Sequence, residues 1–156
     1  MAAKQNKTLS QFSDLVSWME KLRDTGKEQW LQPTSPGKWS IREILTHMMN
    51  WDKNSLEMMV PAMEEGAKLN FVDIEKHNQV ATALAQAYME LDILIDDCIK
   101  TRQDLLALLN EKYDTTTKFT IDNRNYTYKK FVHVFIHHDE HHKQQMEAFL
   151  EREKSA

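Results

Sequence analysis

Along most of this chain, apolar residues recur at the three- and four-residue steps of a helix face rather than in the alternation of a strand. Phe12, Leu15, Val16, Met19 and Leu22 fall on one stripe, which predicts a first helix over residues 8–25, closed by Gly26. The segment from Gln29 to Lys38 holds two prolines and Trp30, a composition that reads as a loop pinned by its tryptophan. Ser40 precedes Glu43 by three residues, the spacing at which each side chain bonds the other's free backbone N–H and opens a helix. That second helix carries Ile41, Ile44, Leu45, Met48, Trp51, Leu56 and Met59 on its stripe. Pro61 removes a backbone donor and predicts a kink or an end there, with Glu64-Glu65-Gly66 as the last turn available.

The longest periodic run passes from Ile74 through Ala81, Leu84, Tyr88, Leu91, Ile95, Cys98 and Leu105 to Leu109. It predicts one continuous helix over residues 73–110, the central member of an antiparallel bundle. Between Tyr113 and Tyr126 the pattern predicts a loop with a short hairpin through Phe119 and Ile121, turned at Asp122-Asn123. A fourth helix is predicted over residues 127–151, with Phe131, Phe135, Met146 and Phe149 inward. The expected fold is all-α: a four-helix bundle of antiparallel helices with a long third helix. It forms a single domain over residues 8–151, between a flexible N-terminal tail at 1–7 and a frayed C-terminal tail at 152–156. Three glycines and three prolines in 156 residues leave few tight turns for a many-stranded sheet.

Charge narrows the partners. Twenty Lys and Arg stand against 24 Asp and Glu, for a net charge of -4, and no basic block gives nucleic acid its usual electrostatic hold. No stretch approaches the roughly 18 apolar residues of a membrane span, and the first seven residues are polar, so a cytoplasmic protein without membrane contact is expected. The single cysteine, Cys98, allows neither an internal disulfide nor a Cys-rich zinc site, and inside the apolar seam it reads as a small hydrophobe rather than a nucleophile. Nine methionines read as core filler, with an adaptable pocket as the alternative. A chain of this size allows a homodimer through a helix face, without singling one out.

Five of the seven histidines crowd between Phe131 and Gln145. At about 100° per residue, with Phe131 as zero, His138 falls near 340° and His142 near 20°, in the middle of the apolar stripe. His133, His137 and His141 fall away from it or on its flank, where solvent is expected. Two inward imidazoles four residues apart project from successive turns and reach one metal ion. The competing reading is a pair of core histidines held neutral by hydrogen bonds, or a cluster that takes nickel and zinc adventitiously. Burying two unbonded imidazoles side by side is costly, and shared coordination of a cation offsets that cost. A third ligand must then come from another helix. His47 borders the stripe of the second helix rather than centring it, and His77 in the first turn of the third helix is its rival, so periodicity leaves the choice open.

At this point the sequence resembles the DinB/YfiT-like superfamily of four-helix-bundle metalloproteins. The resemblance lies in Trp39-Ser40, His47 and Trp51-Asp52 on the second helix, and in the run His138-Asp139-Glu140-His141-His142-Lys143-Gln144-Gln145 on the last. Asp73 and Asn78 at the start of the third helix also look like the family, so the likeness spans residues 8–151. By that resemblance the metal ligands are His47, His138 and His142. Many relatives have Arg-Gly after the paired histidines where this chain has Lys143-Gln144.

The resemblance implies a metal-dependent enzyme acting on a small molecule. Its members include transferases and isomerases that use mycothiol or bacillithiol, so activation of a low-molecular-weight thiol is the first expectation. Hydrolysis by a metal-bound water is the second, and a noncatalytic metal-binding or stress-related helical module the third. Three imidazoles suit zinc or nickel and leave coordination positions open. Around them, Asp52 on the inward stripe is placed to orient a ligand imidazole, or is a partly solvated bundle-end acid. Gln145 can bond a metal-bound water or cap a polar patch. Arg102 can bind a substrate carboxylate, against the alternative of a snorkelling arginine.

Overall fold

The structure, a computed structural model, describes residues 6–26 and 28–155. Helix α1 spans Lys7–Lys21, and the Asn6 side chain caps it by accepting the Leu9 N–H at 3.0 Å. It tightens into a 3₁₀ turn over Leu22–Asp24, so the helix ends at Leu22 and not through Gly26. The connector buries Trp30 in a short turn. Helix α2, Ile41–Asn54, opens on the Ser40–Glu43 capping box with both reciprocal bonds made. Beyond Asn54 the winding loosens to a π turn over Ser55–Met59, then tightens over Val60–Ala62. Pro61 accounts for the change: it has no N–H to return to the carbonyl one turn earlier.

The predicted 38-residue helix is two helices, α3 over Ile74–Ala85 and α4 over Leu91–Lys112. In the first half its periodic seam holds at Ala81 but not at Ile74 and Leu84, which are 64% and 41% exposed, while His77 and Ala85 are the other buried positions. The reason is length. An unbroken helix of that size runs about 57 Å, whereas α2 and the turns that extend it span about 33 Å, so half the apolar stripe would project past its partners. Breaking at residues 86–90 lets both pieces pack on α2. Arg42 of α2 secures the break, donating to Tyr88 O at 3.3 Å and Gln86 Oε1 at 2.8 Å.

Helix α5 runs over Tyr128–Ser155. It continues past the expected frayed end, and Arg152 donates to the Thr34 carbonyl. Met1–Gln5 of the expected N-terminal tail, and Ala156, lie outside the described residues. A small sheet accompanies the bundle, with strands β1 (Lys68–Leu69), β2 (Phe119–Ile121) and β3 (Arg124–Tyr126). β2 and β3 form the expected hairpin, with Asp122 (φ 52°) and Asn123 (φ 67°) in the left-handed region that a two-residue turn requires. β1, too short to carry a periodic signal, adds in parallel on the other side of β2.

Four helices form the bundle and α3 lies on α2. Helix α4 packs between α1 and α2, and α1 packs between α4 and α5, while α5 meets α2 along the slightest of these contacts. The core divides into two apolar clusters. One gathers Trp18, Ile44, Leu45, Leu94, Met146 and Phe149; the other gathers Phe12, Trp51, Leu105, Phe119, Tyr128 and Phe131. Between them along α2, α4 and α5 lies a belt of buried polar side chains: His47, Asp52, Arg102, Asp139 and His142. Met48, Met49, Met59 and Met63 are buried as core filler.

Candidate metal centre

The shallow α2–α5 seam is where the histidines meet. His138 and His142, one turn apart on α5, face His47 on α2, which is 5% exposed. His138 Nε2 lies 3.3 Å from His47 Nε2 and 3.1 Å from His142 Nε2. One ligand atom from each of the three falls within 4.8 Å of the others. Nitrogens bound to a single zinc ion in tetrahedral geometry stand about 3.3 Å apart, which the two shorter separations approach. His133, His137 and His141 are exposed, as their phase requires.

The flanking contacts fix which ring nitrogen faces inward. Gln145 Oε1 lies 3.1 Å from His142 Nδ1; an amide oxygen only accepts, so Nδ1 carries the proton and Nε2 is left bare toward the cluster. This is the place of Gln145, beside the His142 imidazole on its own helix. Trp39 packs on His47 with ring centroids 4.8 Å apart. His77, the rival third ligand, stands outside the trio: it stacks on Trp51 at 4.1 Å and meets the His47 ring edge-on at 5.8 Å.

Burial sets the charge state. Desolvation first, and then the neighbouring imidazoles, push His47 down to about 3. Desolvation, His142 and His141 push His138 down to about 4. Burial also lowers His142, against the bond to Gln145. The trio is therefore neutral at pH 7, the form in which imidazole binds metal.

Two features test whether a cation fits. His138 Nε2 stands 3.3 Å from one ring nitrogen and 3.1 Å from another, and a single proton on it can bond only one of them, so the neutral trio leaves a close nitrogen pair unbonded that a shared cation would satisfy. Behind the cluster, Asn78 favours the protonated His47 ring, yet neither His47 Nδ1 nor Asn78 Oδ1 reaches a bond of good geometry. A metal on Nε2 leaves Nδ1 as an N–H, the donor that the Asn78 oxygen lacks. The residues present fit a divalent cation.

Arg102 and Asp52 do other work than the sequence suggested. Arg102 is 1% exposed, which excludes snorkelling. It donates from Nε and Nη2 to Asp52 at 2.8 and 3.1 Å, from Nη1 and Nη2 to Asp139 at 2.8 and 3.0 Å, and from Nη1 to Phe12 O at 3.0 Å. No donor remains for a substrate carboxylate. Asp52 in turn spends both oxygens on Arg102 and orients no imidazole. The triad ties α2, α4 and α5 together next to the histidines, since Asp139 follows His138 directly. Sequence reasoning passed over Asp139, although it lies about 80° from Phe131 on the flank of the α5 stripe. Cys98 is buried, with its thiol donating to Leu45 O and its pKa raised by desolvation, so it is no nucleophile at neutral pH.

A pocket of about 340 Å³ opens onto the cluster. His47, His138 and Asp122 are its polar lining, and Trp51, Phe71, Phe135 and Ile74 are among its apolar walls.

Comparison with known proteins agrees with this arrangement. By structure, the chain is similar to YfiT from Bacillus subtilis, described as a probable metal-dependent hydrolase with an unusual four-helix bundle topology. The TM-score is 0.76 at 13% identity, over 96% of this chain and 87% of that one, a likeness of fold. No curated protein matches the sequence. The model of the DinB superfamily matches residues 11–146, and this chain belongs to that superfamily.

Proposed function

We propose that this protein is a metal-dependent enzyme in which His47, His138 and His142 hold a divalent cation, zinc or nickel, at the end of the apolar pocket. The observation that carries this reading is the convergence of three neutral imidazoles at a place open to a pocket. A structural metal site is closed by protein ligands, whereas here two of the three imidazoles line an accessible cavity, which favours catalysis over a noncatalytic module. A cation bound there supplies Lewis acidity, lowering the pKa of a thiol or water that enters from the pocket.

The chain's own residues favour the thiol. Asp52 and Asp139 give their oxygens to Arg102, so neither acts as a free base beside the histidines. With both of these carboxylates committed to Arg102, a nucleophile that ionises readily in the cation's field is favoured. A thiol starts near pKa 8.5 and water near 15.7, so the thiol needs far less help. The proposed reaction is transfer or isomerisation with a low-molecular-weight thiol such as bacillithiol or mycothiol. Hydrolysis is the second reading, favoured by the description of YfiT.

Elemental analysis of untagged protein purified without nickel tests the site, beside His138→Ala and His142→Ala. About one zinc or nickel per chain, lost in both variants, is expected. Metal-loaded protein should then consume an electrophile only when a thiol is present. Parent protein that takes up no metal on reconstitution refutes the site; turnover of an ester without thiol selects hydrolysis.

A further inference from the structure

The pocket has a chemistry of its own beyond the histidines. Trp51 comes from α2, Phe71 from the connector before α3, and Phe135 from α5, with Trp51 at 6.2 Å from Phe71 and 6.1 Å from Phe135 between ring centroids. The aliphatic Val72, Ile74 and Val134 also line it, and among the described residues no lysine or arginine lines the cavity and Asp122 is its one acidic side chain.

Asp122 is held in place rather than merely nearby. It sits in the left-handed turn between β2 and β3, and its N–H donates to Leu69 O at 2.9 Å. With the Asn70 amide oriented to donate to Leu69 O, that amide also donates to Asp122 Oδ1 at 3.0 Å. The second carboxylate oxygen has no protein partner among the described residues. β1, the strand that the periodic pattern missed, is what brings Asn70 and Phe71 to this turn.

Aromatic rings and one carboxylate around a shared cavity, here with the exposed Asp122 as the acid, are surroundings that stabilise an organic cation, the rings through their quadrupoles and the acid through its charge. We infer that the pocket binds an amine-bearing small molecule with an apolar body, its ammonium at Asp122 and its opposite, neutral end at His47 and His138. This assignment names the substrate class and rests on the proposed function for its catalytic meaning, since the substrate would be the partner of the activated nucleophile. The orientation follows from charge: a divalent cation among the histidines repels the ammonium, and Asp122 attracts it.

Binding to metal-free protein tests the inference separately from the metal site, because Asp122 and the aromatic walls are in place whether or not a metal is bound. The probes are 2-phenylethylamine, 2-phenylethanol and 3-phenylpropionate, followed by amide chemical-shift titration of the parent, Asp122→Asn and Phe71→Ala. The amine should bind about fivefold more tightly than the alcohol, with the acid weakest. Asp122→Asn should shrink the difference to the part the aromatic walls supply and leave the alcohol's affinity unchanged, and Phe71→Ala should weaken all three. Equal affinities, a preference for the amine that is undiminished in Asp122→Asn, or the absence of binding in the parent overturns the inference. Metal content measured on the same preparations judges the proposed function independently: a chain that takes no metal yet selects the amine refutes the metalloenzyme and keeps the pocket, and the reverse result does the opposite.

Discussion

Replacing Arg102 with Met leaves Asp52 and Asp139 facing each other without a counter-ion in the middle of the bundle. Arg102 makes five hydrogen bonds at 2.8–3.1 Å, four of them to these carboxylates. Removing one member of a buried ion group costs about 3–5 kcal/mol, because the survivors keep their desolvation penalty and lose their compensation. At about 4 kcal/mol, and 2–4 °C per kcal/mol for a chain of this size, the melting temperature should fall by roughly 8–16 °C. Urea unfolding followed by circular dichroism measures the loss directly. Burial already holds Asp139 up to about 6 against the pull of Arg102. The deficit should therefore shrink between pH 7 and pH 5, as the stranded carboxylates protonate. The triple variant Arg102→Met, Asp52→Leu, Asp139→Leu should regain most of the stability, since an apolar triad of similar volume needs no compensation. A single variant within about 1 kcal/mol of the parent, or a triple variant no better than the single, refutes the account of the triad as a buried, mutually dependent unit.

Gln145→Ala should lower metal affinity roughly 10- to 100-fold while leaving the fold intact, because His142 loses the acceptor that fixes its tautomer; competition with a chelator measures this, and unchanged affinity refutes the role. The metal-free protein should lose stability as pH falls from about 6.5 toward 4. His47 and His138 are held down to about 3 and about 4, so across that window the unfolded chain takes up protons that the folded chain refuses, at roughly 1.4 kcal/mol per pH unit for each such proton. Asp139, held up to about 6, and Asp52, also raised by burial, act in the opposite sense and offset part of the effect, while His142 and His77, both lowered by burial, add to it. Urea midpoints that stay level or rise on acidification contradict the buried, neutral trio.

What periodicity and local chemistry determined on their own were the elements whose signals lie within a few residues. The Ser40–Glu43 cap, the stripes of α1, α2 and α5, the disruption at Pro61 and the Asp122-Asn123 turn belong to this group. His138 and His142 could be read as a pair facing inward, because a helix of known pitch places residues four apart on one face whatever packs against it. The identity of the third partner could not: His47 and His77 each had a plausible phase, and only the docking of α5 against α2 brings Nε2 of His47 within 3.3 Å of His138 while stacking His77 on Trp51. The long third helix failed for the same reason. Periodicity says that a stripe is apolar, but the reach of the neighbouring helices decides how much of it can be covered, and here that reach broke the run at residues 86–90. Arg102 and Asp52 carried no local sign that they would bind each other and Asp139, since charge pairing across helices depends on separations of 37 and 50 residues in the chain. β1 had only two residues with which to announce itself, yet it anchors the turn at the mouth of the pocket. Short-range order follows from backbone geometry and side-chain spacing; the histidine trio, the ion triad and the pocket exist only where separate helices close on one another, and the packing of the whole core decides that.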